Sequence, residues 1–280
     1  MNIEDTLFVS DLDGTLLRDD QTLSGATTSF LNEAILQGLK FSYATARSIT
    51  ASQFVLHAVN LDNPVILYNG AQIYCPREKA YIHTSCLAPD DYEDILQRLL
   101  DDGLEPVVHC MNSSNELRVY LRSASNRSTS RWVNSRLRDG DRRFRLSIDF
   151  SEVDPGRVME ILAVAPKRPL EIHEACLAER PSLSCSLQED IYCRDHYWLE
   201  ICHREANKGH AVEILKRHLG LKHVVSFGDN HNDIPMFQVS DHSLAVKNSG
   251  MSVQESAHEV IGNNNEDAVI EYIRKQMAMT

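Results

Sequence analysis

Apolar residues in the first eighty positions fall in short blocks, and the blocks alternate between two periods. Thr6 to Ser10 (TLFVS) is an apolar run of strand length that ends in the acid-rich turn DLDGT. Ser24 to Gly38 places Phe30, Leu31, Ala34 and Ile35 at helical spacing, with Gly38 as a stop. Lys40 to Ala44 predicts a second strand, Ser48 to Val59 a helix, and Pro64 to Tyr68 a third strand before the Asn69–Gly70 turn. Strands alternating with helices indicate βαβ units, and runs apolar throughout indicate a parallel sheet buried on both faces. The end of the chain resumes the rhythm. Gly209 to Leu219 predicts a helix, His223 to Phe227 a strand entering GDNHND, Ser243 to Val246 a strand, and Asn265 to Met277 a last helix.

The middle differs. Its predicted strands are Leu117 to Leu121, Val158 to Ala165 and Tyr197 to Cys202; its predicted helices lie near Asp90 to Asp101, Ser128 to Leu137 and Pro169 to Ala178. The expectation is an α/β domain formed by residues 1–81 and 206–280, with an α+β unit, 82–205, inserted after the third strand. A length of 280 residues suits one large or two modest domains.

Charge narrows the partners. The 28 basic and 40 acidic residues give −12, a poor match for duplex nucleic acid, whose binding needs excess Lys and Arg. It leaves small phosphorylated molecules open, because a metal or a local cluster attracts them. No apolar run is long enough for a transmembrane helix, so no membrane partner is expected. Glu4 and Asp5 stand where a signal peptide would be basic. The seven cysteines are scattered without a C-x-x-C pair, which disfavours a zinc cluster or disulfide framework and fits reduced thiols in the cytoplasm. Leu117 to Arg145 holds nine arginines, no lysine and two acids, Asp139 and Asp141. This stretch reads first as a solvated helix face; exclusive use of arginine is the argument for the alternative, an anion-recognition surface.

Four motifs carry chemistry. Asp11-Leu12-Asp13-Gly14-Thr15 follows the first strand, and ligands of open α/β sheets bind beyond the strands' carboxyl ends. Gly228-Asp229-Asn230-His231-Asn232-Asp233 follows another such strand. Alone, either is an ordinary turn. Together, on neighbouring parallel strands, they bring Asp11 and Asp229 to one edge as oxygen ligands for a hard cation such as Mg²⁺. Thr45, ending the second strand, is a helix cap or a phosphate ligand. Lys208 opens a helix, where a cation is unfavourable unless it serves an anion.

In order and detail these motifs resemble the haloacid dehalogenase-like superfamily, Cof-type phosphatase branch. The further likenesses are Ala44 to Arg47, Asn69-Gly70-Ala71, Asn207-Lys208-Gly209, GDNHNDIPM ending at Met236, and Val246-Lys247-Asn248. Ala46 stands where glycine is commoner in the branch. The resemblance implies a doubly wound, Rossmann-like α/β core with an inserted α+β cap. It implies an Mg²⁺-dependent phosphatase acting on a small phosphorylated metabolite, with a sugar phosphate expected. By it, Asp11 is the nucleophile, forming an aspartyl-phosphate, and Asp13 is the acid and then the base, a role for which burial among anions is expected. The metal ligands implied are the Asp11 carboxylate, the Asp13 main-chain carbonyl and the Asp229 carboxylate, with Asp233 supporting them and orienting Lys208. Thr45, Lys208 and Asn232 are implied as phosphoryl ligands. A phosphomutase and a non-catalytic metabolite-binding module remain alternatives; retention of both Asp11 and Asp13 argues against the module. Arg118 and Arg122, flanking a predicted strand four residues apart, are the expected substrate contacts of the cap.

Overall fold

A computed structural model describes residues 2–138, 140–190 and 193–279, so Asp139 of the arginine stretch lies outside the described residues. The chain forms two compact units, Met1–Thr84 with Glu205–Thr280, and Ser85–Arg204. In chain order the first unit begins with β1 (Thr6–Ser10), α1 (Gly25–Leu36), β2 (Lys40–Tyr43), α2 (Ile49–Val55), β3 (Val65–Leu67), β4 (Gln72–Cys75) and β5 (Ala80–Thr84). The second unit holds α3 (Pro89–Asp101), β6 (Val107–Met111), β7 (Leu117–Leu121), α4 (Arg127–Arg138) and β8 (Phe144–Leu146). It continues with β9 (Val158–Ala165), α5 (Lys167–Ala178), β10 (Leu183–Glu189) and β11 (Tyr197–His203). The first unit resumes with α6 (Lys208–Leu219), β12 (His223–Gly228), α7 (Ile234–Gln238), β13 (His242–Val246), α8 (Met251–Ser256), β14 (Glu259–Ile261) and α9 (Ala268–Ala278).

The first unit is built on a five-stranded sheet in the order β14-β13-β12-β1-β2. Every pairing in it is parallel. Side chains alternate across β1. Phe8 packs with Leu31, Ala34, Val269 and Ile273, from α1 and α9. Leu7 and Val9 pack with Ala211, Val212, Leu215, Met236 and Phe237, from α6 and α7. Helices therefore cover both faces, which is why the central strands can be apolar throughout. Ser24 starts α1 by accepting a hydrogen bond from the Thr27 amide, so the predicted start of that helix is a true cap.

The third strand corrects the sequence reading. Val65–Leu67 meets the end of β2 through the single parallel bridge Ala44–Ile66, extended by the Thr45 amide donating to the Ile66 carbonyl at 3.0 Å. Its ladder is antiparallel to β4, within a separate sheet β3-β4-β5. The turn Tyr68–Gly70 returns the chain on itself, and residues 72–84 continue as strands before the second unit begins.

The second unit is α+β, with a six-stranded sheet in the order β10-β11-β9-β6-β7-β8. Only the β7–β8 pair is parallel. Val108, Cys110, Ile161 and Leu199 face Tyr92, Ile95, Leu99 and Leu170, from α3 and α5. Val107, Val119, Leu121 and Leu162 face Val133 of α4 on the opposite side. Trp132 meets Phe144 and Trp198 edge-on there, at 5.2 and 5.5 Å between ring centroids. Among the described residues, no helix is long and apolar enough to cross a membrane.

Candidate active site

β1 and β12 lie side by side with Ser10 opposite Phe227. The Asp11 amide extends the ladder by donating to the Phe227 carbonyl at 2.9 Å. Asp11 and Asp229 thus leave the sheet at the same carboxyl edge, as their two turns predict. Gly14 makes that approach possible. It has φ +77°, and a Cβ there would fall 2.6 Å from Asp229 Oδ2. Its carbonyl accepts from Asn248 Nδ2 at 2.7 Å, and Thr15 Oγ1 donates to Asp229 Oδ1 at 2.9 Å. Gly14→Ala is therefore expected to lower stability by about 1–3 kcal/mol through left-handed strain, and to push Asp229 off its position. A thermal midpoint and turnover both equal to wild type would contradict this close packing.

Asn207 caps α6 by accepting from the His210 amide at 2.9 Å, which fixes where Lys208 enters. Lys208 is wholly buried. Its Nζ donates to Asp11 Oδ1 at 2.6 Å and to Asp233 Oδ1 at 2.7 Å. Burial works to lower the Lys208 ammonium pKa, but Asp11 and Asp233 outweigh it and hold the group above its ordinary value. Asp233 uses its other oxygen as well: Oδ2 accepts from the amides of Asp229 and Asn230 at 2.9 and 3.0 Å. With both oxygens engaged, Asp233 acts as a strut between Lys208 and the turn that carries Asp229.

Asp11, Asp229 and Asp233 bring carboxylate oxygens within 4.8 Å of one another. Burial pushes the Asp11 carboxyl up to about 8, against the pull of Lys208 and with the push of Asp233 and Asp229. Burial raises Asp229 as well. Carboxylates crowded in this way favour any positive charge placed between them, a proton or a divalent cation. The all-oxygen donor set fits a hard cation, and Asp11 and Asp229 are the better placed to hold one, since Asp233 is already committed to its partners.

Thr45 follows β2 and is buried, with its Oγ1 accepting the Arg47 amide at 3.1 Å. Arg47 grips Asp13 with two bonds, Nε to Oδ2 at 2.7 Å and Nη2 to Oδ1 at 2.5 Å, and also reaches Gln21 Oε1 at 2.9 Å. Here the structure corrects the expected burial of Asp13, whose side chain keeps 47% of its surface exposed. It sits on a turn beyond the strand end, and a guanidinium faces it instead of apolar atoms. Asn232 is exposed, and its Nδ2 donates to Asn69 Oδ1 at 2.9 Å. Arg118 and Arg122 lie in the second unit. Arg118 pairs with Glu116, and Arg122 Nε donates to the Ile148 carbonyl at 2.5 Å.

Lys208 therefore joins Asp11 and Asp233, and Asp229 stands beside those two carboxylates, while Asp13 and Asn232 are tied to Arg47 and Asn69. Those two partners, with Thr15 and Asn248, stand inside the quoted motifs, but the sequence assigns them no contact. The A-T-x-R and Asn-Gly-Ala strings that contain the first two were the available signal.

The chain is similar to known proteins over nearly its whole length. The family model for haloacid dehalogenase-like hydrolases matches residues 8–273. An HMP-PP phosphatase from Cronobacter sakazakii is 27% identical over 269 residues, 94% of this chain and 92% of that one. The 5-amino-6-(5-phospho-D-ribitylamino)uracil phosphatase YitU of Bacillus subtilis is 23% identical over 290 residues, 100% of both chains. A crystal structure from Thermotoga maritima superposes with a TM-score of 0.76 at 24% identity, covering 96% of each chain. The chain belongs to the haloacid dehalogenase-like hydrolases.

Proposed function

We propose that the protein is an Mg²⁺-dependent phosphatase that hydrolyses a small phosphorylated metabolite, a sugar or polyol phosphate, through an aspartyl-phosphate on Asp11. The observation that carries this reading is Lys208 buried between Asp11 and Asp233, with Asp229 alongside. A charged lysine held in place by two carboxylates is a fixed cation beside a candidate nucleophile, and phosphoryl transfer depends on fixed positive charge. A polyol phosphate is favoured because one of the relatives acts on a phosphoribityl compound.

A bound Mg²⁺ supplies the neutralising charge that lets an anionic nucleophile approach a phosphate dianion. The Asp11 carboxylate, the Asp13 main-chain carbonyl and the Asp229 carboxylate would hold it. One Asp11 oxygen is oriented by Lys208; the other is the attacking atom in this scheme. Lys208, Thr45 and Asn232 take the oxygens of the transferring group. Asp13 gives its proton to the leaving alkoxide and takes one from the water that hydrolyses the intermediate. Its carboxylate must first loosen from Arg47, which makes that ion pair the gate for the acid–base step. The second unit supplies substrate specificity, with Arg118 and Arg122 among its candidate contacts.

The test is phosphate release from a panel of sugar, polyol and nucleoside phosphates. Activity is expected with Mg²⁺ and lost on exhaustive chelation, with Ca²⁺ a poor substitute because it prefers longer bonds and more ligands. Full activity in metal-free protein would rule out the Asp11–Asp229 cation site.

A further inference from the structure

The turn between β3 and β4 has three successive residues in left-handed backbone: Tyr68 at φ 47°, Asn69 at φ 54° and Gly70 at φ 102°. Residues with side chains avoid this region, asparagine least, so two of them side by side need an outside cause. The cause lies in what the turn touches. The Tyr68 amide donates to the Arg47 carbonyl at 3.2 Å, and the Asn69 amide donates to the Thr45 carbonyl at 2.9 Å. A Cβ on Gly70 would fall 2.1 Å from the carbonyl oxygen of Asn207, so the backbone here lies against the residue preceding Lys208. The Asn69 side chain accepts from Asn232 Nδ2 at 2.9 Å. One three-residue turn therefore meets all three segments that carry Thr45, Lys208 and Asn232.

We propose that Asn69 is a positioning residue that acts through Asn232. The inference rests on the phosphatase reading above. Asn232 is exposed, and an amide torsion in that setting is broad when nothing holds it. By accepting one of the two Nδ2 hydrogens, Asn69 Oδ1 fixes the amide plane and leaves the second hydrogen to point at a phosphoryl oxygen. The left-handed turn matters because it places Asn69 Oδ1 over Asn232 while its amide stays bonded to Thr45. Asn69 itself need not touch the substrate.

Asn69→Gly is the decisive variant, because glycine adopts the left-handed turn freely and loses only the side-chain amide. With p-nitrophenyl phosphate and Mg²⁺, kcat is expected to fall about tenfold while KM moves less than about threefold, the pattern of an interaction felt mainly in the transition state. The thermal midpoint should stay at the wild-type value. In an Asn232→Ala background the same substitution should cost nothing further, since two residues acting in series are not additive. Asn69→Asp keeps the acceptor and should retain kcat within about threefold, with KM raised by the added anion. A loss from Asn69→Gly as large in the Asn232→Ala background as in wild type would overturn the proposal, as would wild-type kcat in Asn69→Gly. A wild-type protein that releases no phosphate from any ester with Mg²⁺ present would instead mark the failure of the phosphatase reading, and the role of Asn69 with it.

Discussion

Asp11→Asn is expected to lower phosphate release by at least about 10⁴-fold, a barrier increase of about 5.5 kcal/mol. The amide has the shape of the carboxylate but no nucleophilic oxygen, so what remains is the acceleration from positioning and fixed charge. The fold should survive. Asn keeps a carbonyl oxygen for Lys208 Nζ, which sits 2.6 Å from Asp11 Oδ1, and Asp233 still pairs with the lysine at 2.7 Å. Burial already pushes the Asp11 carboxyl up to about 8, so the folded site favours a neutral group at this position. The thermal midpoint of metal-free Asp11→Asn should therefore be no lower than that of wild type. Turnover within tenfold of wild type would end the aspartyl-phosphate mechanism, whereas lost turnover with a collapsed midpoint would show only that the variant misfolds.

Asp11 and Asp229 can be read from the sequence for a local reason, whereas the roles of Lys208 and Asp233 come from the family resemblance. Each acid-rich turn directly follows a strand whose apolar character is continuous, so strand and turn are legible within about ten residues. Parallel neighbours at the sheet centre then bring Asp11 and Asp229 together without further information. The contacts that escaped the sequence are long-range pairings of side chains. Arg47 and Asp13 are 34 residues apart, and Asn232 and Asn69 are 163 apart; no period or spacing links them. The implied acid–base role predicts a buried Asp13, whereas the residue lies on a turn past the strand end, faces Arg47 and keeps 47% of its side-chain surface exposed.

The sheets show the same division. A short apolar run such as Pro64–Leu67 has one appearance whether its neighbours are parallel or antiparallel. Only the partner strand decides, and that partner, β4, begins with the wholly buried Gln72, a polar residue that interrupts the pattern. Along β10, Leu183 alone is buried, because the strand pairs only with β11 and lies at the sheet edge. Its sequence, LSCSLQE, is too polar to stand out. A strand with one exposed side carries a weak hydrophobic signal, but burial alone does not make a strand legible: β6, central and mostly buried, is absent from the sequence reading as well, its run broken by His109.

Lys208→Met should cost both activity and stability. The lysine is wholly buried between two carboxylates, and methionine fills much of its volume without its charge. Removing one partner of a buried ion pair leaves the others uncompensated, a change that costs about 3–5 kcal/mol in measured cases. The loss should depend on pH in a definite direction. Without Lys208, the pull that lowers Asp11 is gone, while burial and the neighbouring acids still raise it. Its folded pKa then lies well above its unfolded value, so the folded state binds the proton more tightly. Stability is fullest at acid pH near the unfolded pKa and declines as pH rises toward and through the folded value. Urea titrations of metal-free Lys208→Met from pH 5 upward should show the midpoint falling as pH rises and still falling above about pH 8, where the wild-type contribution of Asp11 levels off. Adding Asp233→Asn removes one of the two stranded anions, so the double variant should recover part of the stability and none of the turnover. If Lys208→Met instead unfolds at the wild-type midpoint across that range, the lysine is not the charge that holds these carboxylates together.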